Sequence, residues 1–506
     1  MKFKLILLCL LFAWAIFFRL YRISANMMFL GDQGRDAIIV ANIFKKLDPV
    51  FIGPVTSVGN MYLGPIYYYF MLPFLRLTYP SPVGPAYGVA LLGIATVFLL
   101  YYWGQKMFGQ KAALIATFFY ALSYTTIFYS RFSWNPNPAP FVFLIMFFCT
   151  WQAYSGKLKY WLGVAITFSV LMQLHYVTIL AAIGAGLLWF KQLIEFSQKK
   201  SWSKIRNLFL LSFLSLVIFI SSLTPILLFD YKHGGLNTKA FTQMFTGESN
   251  FKQNEKVPLT NKISTVVKET HGRGMHILFE ISIGKNRQLN SILLLVFTLT
   301  LLYLLSQKKN LPAQAGQYHK SYVVLASYFF TAVLGLAFYQ HTVFDHYIAY
   351  LFPVTFFFFG IVLSFYFSKN LWGKIAVTLF TIYFLIWNLE RYPFILKASS
   401  LNLDKIKRVS QAVASRVDPS KKYNLVLLSE SHDLYAQSYR YYLETTAYPP
   451  VAVADYTQAE ELFVINEIGE KDILQLPIYE IIVFPHKDIK AVYNVKDGPE
   501  INILGK

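Results

Sequence analysis

The sequence predicts an all-α polytopic membrane protein of about eleven transmembrane helices, followed by a small extracytoplasmic α/β domain. Three observations carry this expectation. Long apolar runs recur through residues 1–390, Lys and Arg collect in alternate loops between them, and residues 391–506 change to an ordinary globular composition.

Hydrophobic residues are 56% of the 506, charged residues only 14%, and mean hydropathy is +0.44. Soluble domains run at roughly 45–50% apolar and about 25% charged. Aromatics reach 18%, with many Tyr and Phe near the ends of apolar runs, where interfacial belts form. A formal net charge of +20 would point to nucleic acid in a soluble chain. Here Lys and Arg in cytoplasmic loops account for it, and no nucleic-acid partner is expected. Cys9 and Cys149 both lie inside apolar runs, so no disulfide framework is expected. The opening stretch resembles a signal peptide. No small-residue cleavage site follows it cleanly, and Arg19 and Arg22 flank its end, so it reads as an uncleaved first span.

A span needs about 20 apolar residues. The candidates are Lys4–Leu20, Pro85–Trp103, Ala112–Ser130, Ala139–Tyr154, Tyr160–Leu174, Val177–Phe190, Leu208–Phe229, Leu289–Leu305, Tyr322–Tyr339, Tyr347–Phe367 and Ile375–Leu389. Met61–Leu77 is also apolar but contains Gly64, Pro65 and Pro73. Loop charge decides its placement. With the N-terminus cytoplasmic and Met61–Leu77 not crossing, Lys106, Lys111, Lys157, Lys159, Lys199, Lys204, Arg206, Lys309, Lys369 and Lys374 all fall inside. Met61–Leu77 is therefore expected as an interfacial or re-entrant helix. The short pair Tyr160–Leu174 and Val177–Phe190 fits two crossings with an outer turn near His175.

This threading gives a membrane module over residues 1–390, with outer loops 22–84 and 230–288, and an outer domain over 391–506. In that domain Leu403–Val417 reads as an amphipathic helix, and Tyr423–Leu428 and Ile478–Phe484 read as buried strands. No internal repeat supports an inverted-repeat transporter.

The polar residues fall on one side. After Asp32 and Asp36, the apolar residues Ala37, Ile38, Val40, Ala41, Phe44 and Leu47 have helical spacing, which suits a helix on the membrane surface. The plainer reading is that Asp32 caps this helix and Asp36 offsets its dipole. Arg131 and Asn135 lie in a Pro/Asn-rich turn; either they are turn and interface residues, or Arg131 reaches a phosphate and Asn135 a polar ligand. His175 follows Gln173 at a helix end, and polar groups at membrane depth are costly. Asp230, Lys232 and His233 follow the seventh span, and Gln340–Tyr347 includes Asp345 and His346; each alone reads as ordinary loop polarity. Threaded together, Asp32, Asp36, Arg131, Asn135, His175, Asp230, His233, Asp345 and His346 all face outward. No phosphate-binding glycine loop, H-E-x-x-H or cysteine cluster is present. An activated substrate is then expected to arrive through the lipid.

The layout resembles the GT-C superfamily of polyprenyl-phosphate-sugar-dependent glycosyltransferases, within it the protein O-mannosyltransferase and aminoarabinose transferase-like group. Those enzymes carry an acidic motif, commonly Asp-Glu-x-Arg-Tyr, just after the first span. Here Asp32-Gln33-Gly34-Arg35-Asp36 occupies that place: Asp32 matches the acid and Arg35 the arginine, while Gln33 replaces Glu and Asp36 the aromatic. The resemblance extends to Gly64-Pro65 with its Tyr-rich run, the Arg131–Pro138 turn and His346-Tyr347 before Pro353. It implies an inverting transfer from a polyprenyl-phosphate sugar to an acceptor hydroxyl, the acceptor being a glycan, lipid or protein. Asp32 would be the general base. Arg35, Asp36, Arg131, Asn135, His175, His346 and Tyr347 would bind the donor phosphate or substrate, with Arg273 or Lys285 as further cations. Asp345 and His346 leave a divalent cation open, but no ligand spacing supports one, and no metal ligand is assigned. The alternatives are a transporter or flippase of lipid-linked sugars, a polymerase or ligase of lipid-linked glycans, and a non-catalytic assembly protein.

Overall fold

The computed structural model describes residues 2–56, 61–246, 259–307, 313–339, 342–392, 403–430 and 433–505. Every predicted span coincides with helix: α1 Lys2–Leu20, α4 Gly84–Phe108, α5 Gln110–Leu122, α7 Ala139–Tyr154, α8 Tyr160–Leu174, α9 Ile179–Gln198, α10 Trp202–Lys232, α13 Arg287–Ser306, α14 Ala313–Ala337, α15 Phe352–Lys369 and α16 Leu371–Leu389. Between them lie α2 Gly31–Lys46, α3 Ile66–Thr78, α6 Tyr124–Tyr129, α11 Leu236–Thr246 and α12 Leu259–Met275. Among the described residues, seven helices are long and apolar enough to cross a membrane by length and composition. Three shorter apolar helices, Ile6–Leu20, Ala139–Tyr154 and Tyr160–Leu174, accompany them. The chain is a multi-pass membrane protein.

Burial separates the centre from the periphery. The α15 span has 72% of its apolar window buried, whereas the α10 span has 6%. Phe356 to Phe359 on α15 are all buried, and Phe119, Phe279, Phe297 and Phe380 pack their rings around Phe359. The α10 side chains face outward because lipid is as apolar as they are.

The predicted span Ala112–Ser130 is corrected to two helices broken at Ser123. A helix end leaves carbonyls without intrahelical partners. The wholly buried Arg19 donates to Ala121 O at 3.4 Å, Thr126 Oγ1 to Tyr120 O at 2.6 Å, and Tyr392 Oη to Leu122 O at 2.6 Å. These donors satisfy the last turn of α5, so the break is stable even inside the bundle. Met61–Leu77 becomes the 13-residue α3, about 20 Å long and too short to cross. It packs beside α2 and α4.

The C-terminal domain begins, among described residues, with α17 Leu403–Ala414. Its sheet has the order β1-β2-β4-β3, with β1 Tyr423–Leu428 parallel to β2 Glu461–Asn466, and β4 Glu500–Gly505 antiparallel to both β2 and β3 Ile489–Asn494. Helix α18 Gln437–Leu443 lies in the β1–β2 connection. The expected strand Ile478–Phe484 is instead the short helix α19 Tyr479–Val483. Its apolar run is buried at Ile481 and Phe484 and exposed at Tyr479 and Ile482. That three-residue repeat belongs to a helix, not to a strand with alternating faces.

Candidate active site

The α2 helix sets the first wall. Its N-cap is Leu30, whose backbone N–H donates to Gln33 Oε1 at 2.8 Å. Asp32 therefore does not cap the helix; it stands in the first turn with its side chain 50% exposed. Arg35, one turn on, joins the two acids: Nη1 meets Asp32 Oδ1 at 2.9 Å and Nη2 meets Asp36 Oδ1 at 2.8 Å. Tyr68 Oη on α3 donates to the same Asp36 oxygen at 3.2 Å. Burial pushes the Asp36 carboxyl up to about 6, against the opposing pull of Arg35. Burial also works against the Arg35 charge, but Asp36 and Asp32 outweigh it and hold the guanidinium charged.

The second wall is the turn after α6. Ser133 Oγ hydrogen-bonds Tyr67 Oη of α3 at 2.5 Å, which ties the turn to the Asp36 pair. Trp134 packs against His346 with ring centroids 4.4 Å apart and planes tilted by 49°. Asn135 Nδ2 donates to Leu174 O at 2.7 Å and so fastens the turn to the end of α8. There His175 leaves the helix in an extended conformation, and its Nδ1 accepts from Val177 N–H at 3.3 Å. Its ring lies 6.0 Å from His346 and 5.0 Å from Tyr347. Burial lowers His175 to about 3 and His346 to about 4, the second despite the carboxylates of Asp345 and Asp32. Both imidazoles are neutral at neutral pH.

Arg131 sits differently from the expectation. Its guanidinium is 2% exposed and donates to Phe18 O at 2.6 Å and Tyr21 O at 2.8 Å. It clamps the C-terminal end of α1, where carbonyls lack helical partners. Asp230 likewise serves α11, accepting from Asn237 N–H at 2.6 Å and Thr238 N–H at 3.2 Å. Gln340 and His341 lie outside the described residues.

Two further groups, His276 and Asp433, were not singled out by sequence, and they join Asp345 and Arg273, which were. His276 Nε2 pairs with Asp345 Oδ1 at 2.8 Å, across 69 positions of sequence. Arg273, one turn before it, pairs with Glu269 at 3.0 Å and donates to Tyr339 O at 3.2 Å. Asp433 of the C-terminal domain lies against Gly31, and Asp32 helps burial raise its carboxyl to about 6. His276 gave one signal, the three-residue spacing from Arg273 in an outer loop; Asp433 gave none. Among the described residues, no group of three or more His, Cys, Asp or Glu could hold a metal ion.

An apolar groove of about 720 Å³ lies between α1, α5, α15 and α16, with Lys111 at one end and Tyr392 at the other. None of the candidate residues lines it.

Solved structures share this architecture. ArnT from Cupriavidus metallidurans bound to undecaprenyl phosphate matches with a TM-score of 0.55 at 10% identity, over 99% of this chain and 98% of that one. This chain shares the fold of that protein. The archaeal oligosaccharyltransferase AglB from Archaeoglobus fulgidus, in complex with an inhibitory peptide and a dolichol-phosphate, matches at 0.50 and 11% identity over 95% of this chain and 71% of that one. The Dolichyl-phosphate-mannose-protein mannosyltransferase family profile matches residues 63–224. That stretch holds α3, the Arg131–Pro138 turn and His175, and leaves Asp32 and His346 outside. No curated protein sequence matches the chain.

Proposed function

We propose that this chain is a membrane glycosyltransferase that moves a sugar from a polyprenyl phosphate to an acceptor hydroxyl at the extracytoplasmic face. One observation carries the reading: Asp32 is the exposed carboxylate of a three-residue acid–arginine–acid array, close enough to neutral His346, which lies against Trp134, for its charge to be felt there. The GT-C fold supports it, as does the family match across the adjoining walls.

In the proposed step the acceptor oxygen attacks the anomeric carbon. The bond from that carbon to the phosphate oxygen breaks, and its electrons leave with the polyprenyl phosphate. The hydroxyl proton passes to Asp32. The Arg35 bridge keeps Asp32 in one orientation, so little reorganisation is needed at the moment of transfer. His346, Tyr347 and Asn135 contribute to the substrate-binding wall. Arg35, beside Asp32, and Arg273 are the candidates to balance the leaving phosphate.

The test is incubation of the chain in lipid nanodiscs with a panel of polyprenyl-phosphate sugars and mass analysis of the released lipid phosphate. Release that depends on an added acceptor supports transfer. Intact donor throughout the panel, with only its transbilayer movement accelerated, favours the flippase.

A further inference from the structure

A second cavity, about 410 Å³, opens where the C-terminal domain meets the membrane module. Its floor includes Ser24, just past α1, and Thr78 and Ser81 at the end of α3. Its roof is α17 and the end of α18. The volume lies within the ~300–1,000 Å³ of small-molecule sites. The lining is unusual for its hydroxyls. Ser410 Oγ donates to Ile406 O at 2.9 Å, Thr445 Oγ1 to Tyr442 O at 2.7 Å, and Thr446 Oγ1 to Leu443 O at 2.7 Å. A hydroxyl has one proton and two lone pairs. With the proton spent on backbone, the oxygens of exposed Thr445 and half-buried Thr446 are left to accept, while Ser410 is buried beneath them. Such a surface suits a ligand that brings many O–H donors.

The charges point the same way. Asp404 and Lys407, three residues apart on α17, both line the cavity and are both exposed, so the site carries balanced rather than positive charge. A phosphate would meet one cation and one anion. A neutral polyol meets an acceptor in Asp404, a donor in Lys407 and a flat apolar face in Tyr442. We infer that this cavity binds the carbohydrate part of the acceptor. The inference rests on the glycosyltransferase reading for the word acceptor, but not for the binding of sugar. The same α18 that roofs the cavity also packs against α2, which carries Asp32.

The experiment uses the full chain in nanodiscs and saturation-transfer NMR with methyl hexopyranosides and maltose as probes. Ring-proton saturation is expected in wild type. It should drop at least fivefold in the double variant Asp404→Ala, Lys407→Ala, whose sites are exposed and helical, and persist in Asp32→Asn. Inorganic phosphate should not compete, and a polyprenyl-phosphate hexose should leave maltose saturation in place. Absence of saturation in wild type, saturation unchanged in the double variant, or displacement by phosphate or by the donor overturns the inference. Release of polyprenyl phosphate by wild type, measured in parallel, reads the glycosyltransferase proposal separately.

Discussion

Gly31 and Asp433 lie in van der Waals competition: a Cβ on Gly31 would stand 2.5 Å from Asp433 Cγ. One turn later a Cβ on Gly34 would stand 2.4 Å from the backbone carbon of Gln437. The C-terminal domain is thus seated on the helix that carries Asp32, through two glycines that flank it.

Alanine at either position tests that seating. On a free helix, Gly→Ala gains up to about 1 kcal/mol. Here overpacking of ~1–3 kcal/mol opposes it. Gly31 meets the Asp433 side chain from Cβ to Oδ2, which could move only by giving up its hydrogen bond from Gln437 N–H, whereas Gly34 meets the backbone of Gln437 and Ser438, which has still less freedom. Gly34→Ala should therefore cost more stability and transfer rate than Gly31→Ala. Thermal unfolding and limited proteolysis of the C-terminal domain measure the difference.

Arg131 is predicted to act on the fold rather than on the donor. Arg131→Lys loses the two-carbonyl clamp on Phe18 and Tyr21, and buried groups left without partners cost about 1–3 kcal/mol each. The melting temperature should fall while donor affinity per folded molecule is unchanged. A weakened donor Kd at constant stability would return Arg131 to the phosphate.

The pH dependence follows from Asp36. Its folded-state carboxyl is raised to about 6, so it is charged above that pH and protonates as pH falls through it. Protonation removes one of the two anions that hold Arg35. Transfer by wild type should decline below about pH 6. Asp36→Asn should be slow throughout, and the double variant with Asp433→Asn, which removes the other carboxyl raised to about 6, should lack that inflection. His175 and His346, lowered to about 3 and about 4, should add no inflection between pH 6 and 8.

Trp134→Ala removes the ring packed against His346 and should raise KM more than it lowers kcat, because that contact orders the wall in ground and transition states alike. Steady-state kinetics across donor concentration separate the two.

Much of this was legible because lipid imposes it. Apolar runs mark helices since backbone polar groups in hydrocarbon need internal partners. Asp32, Arg35 and Asp36 were legible as neighbours because helical geometry brings residues three or four apart together. The break at Ser123 was not, since Arg19 and Tyr392, distant in sequence, are what satisfy it. Ile478–Phe484 misled because a short apolar run carries no length to tell strand from helix. His276–Asp345 and Gly31–Asp433 are tertiary pairs, invisible to any local period.

The central claim is that Asp32 takes the acceptor proton. Single-turnover release of polyprenyl phosphate should be measured for wild type and for purified, folded Asp32→Asn at saturating donor and acceptor. General-base catalysis contributes ~10²–10⁴-fold, and the variant should lose a rate of that order while donor Kd is retained. Turnover within twofold of wild type would contradict the account.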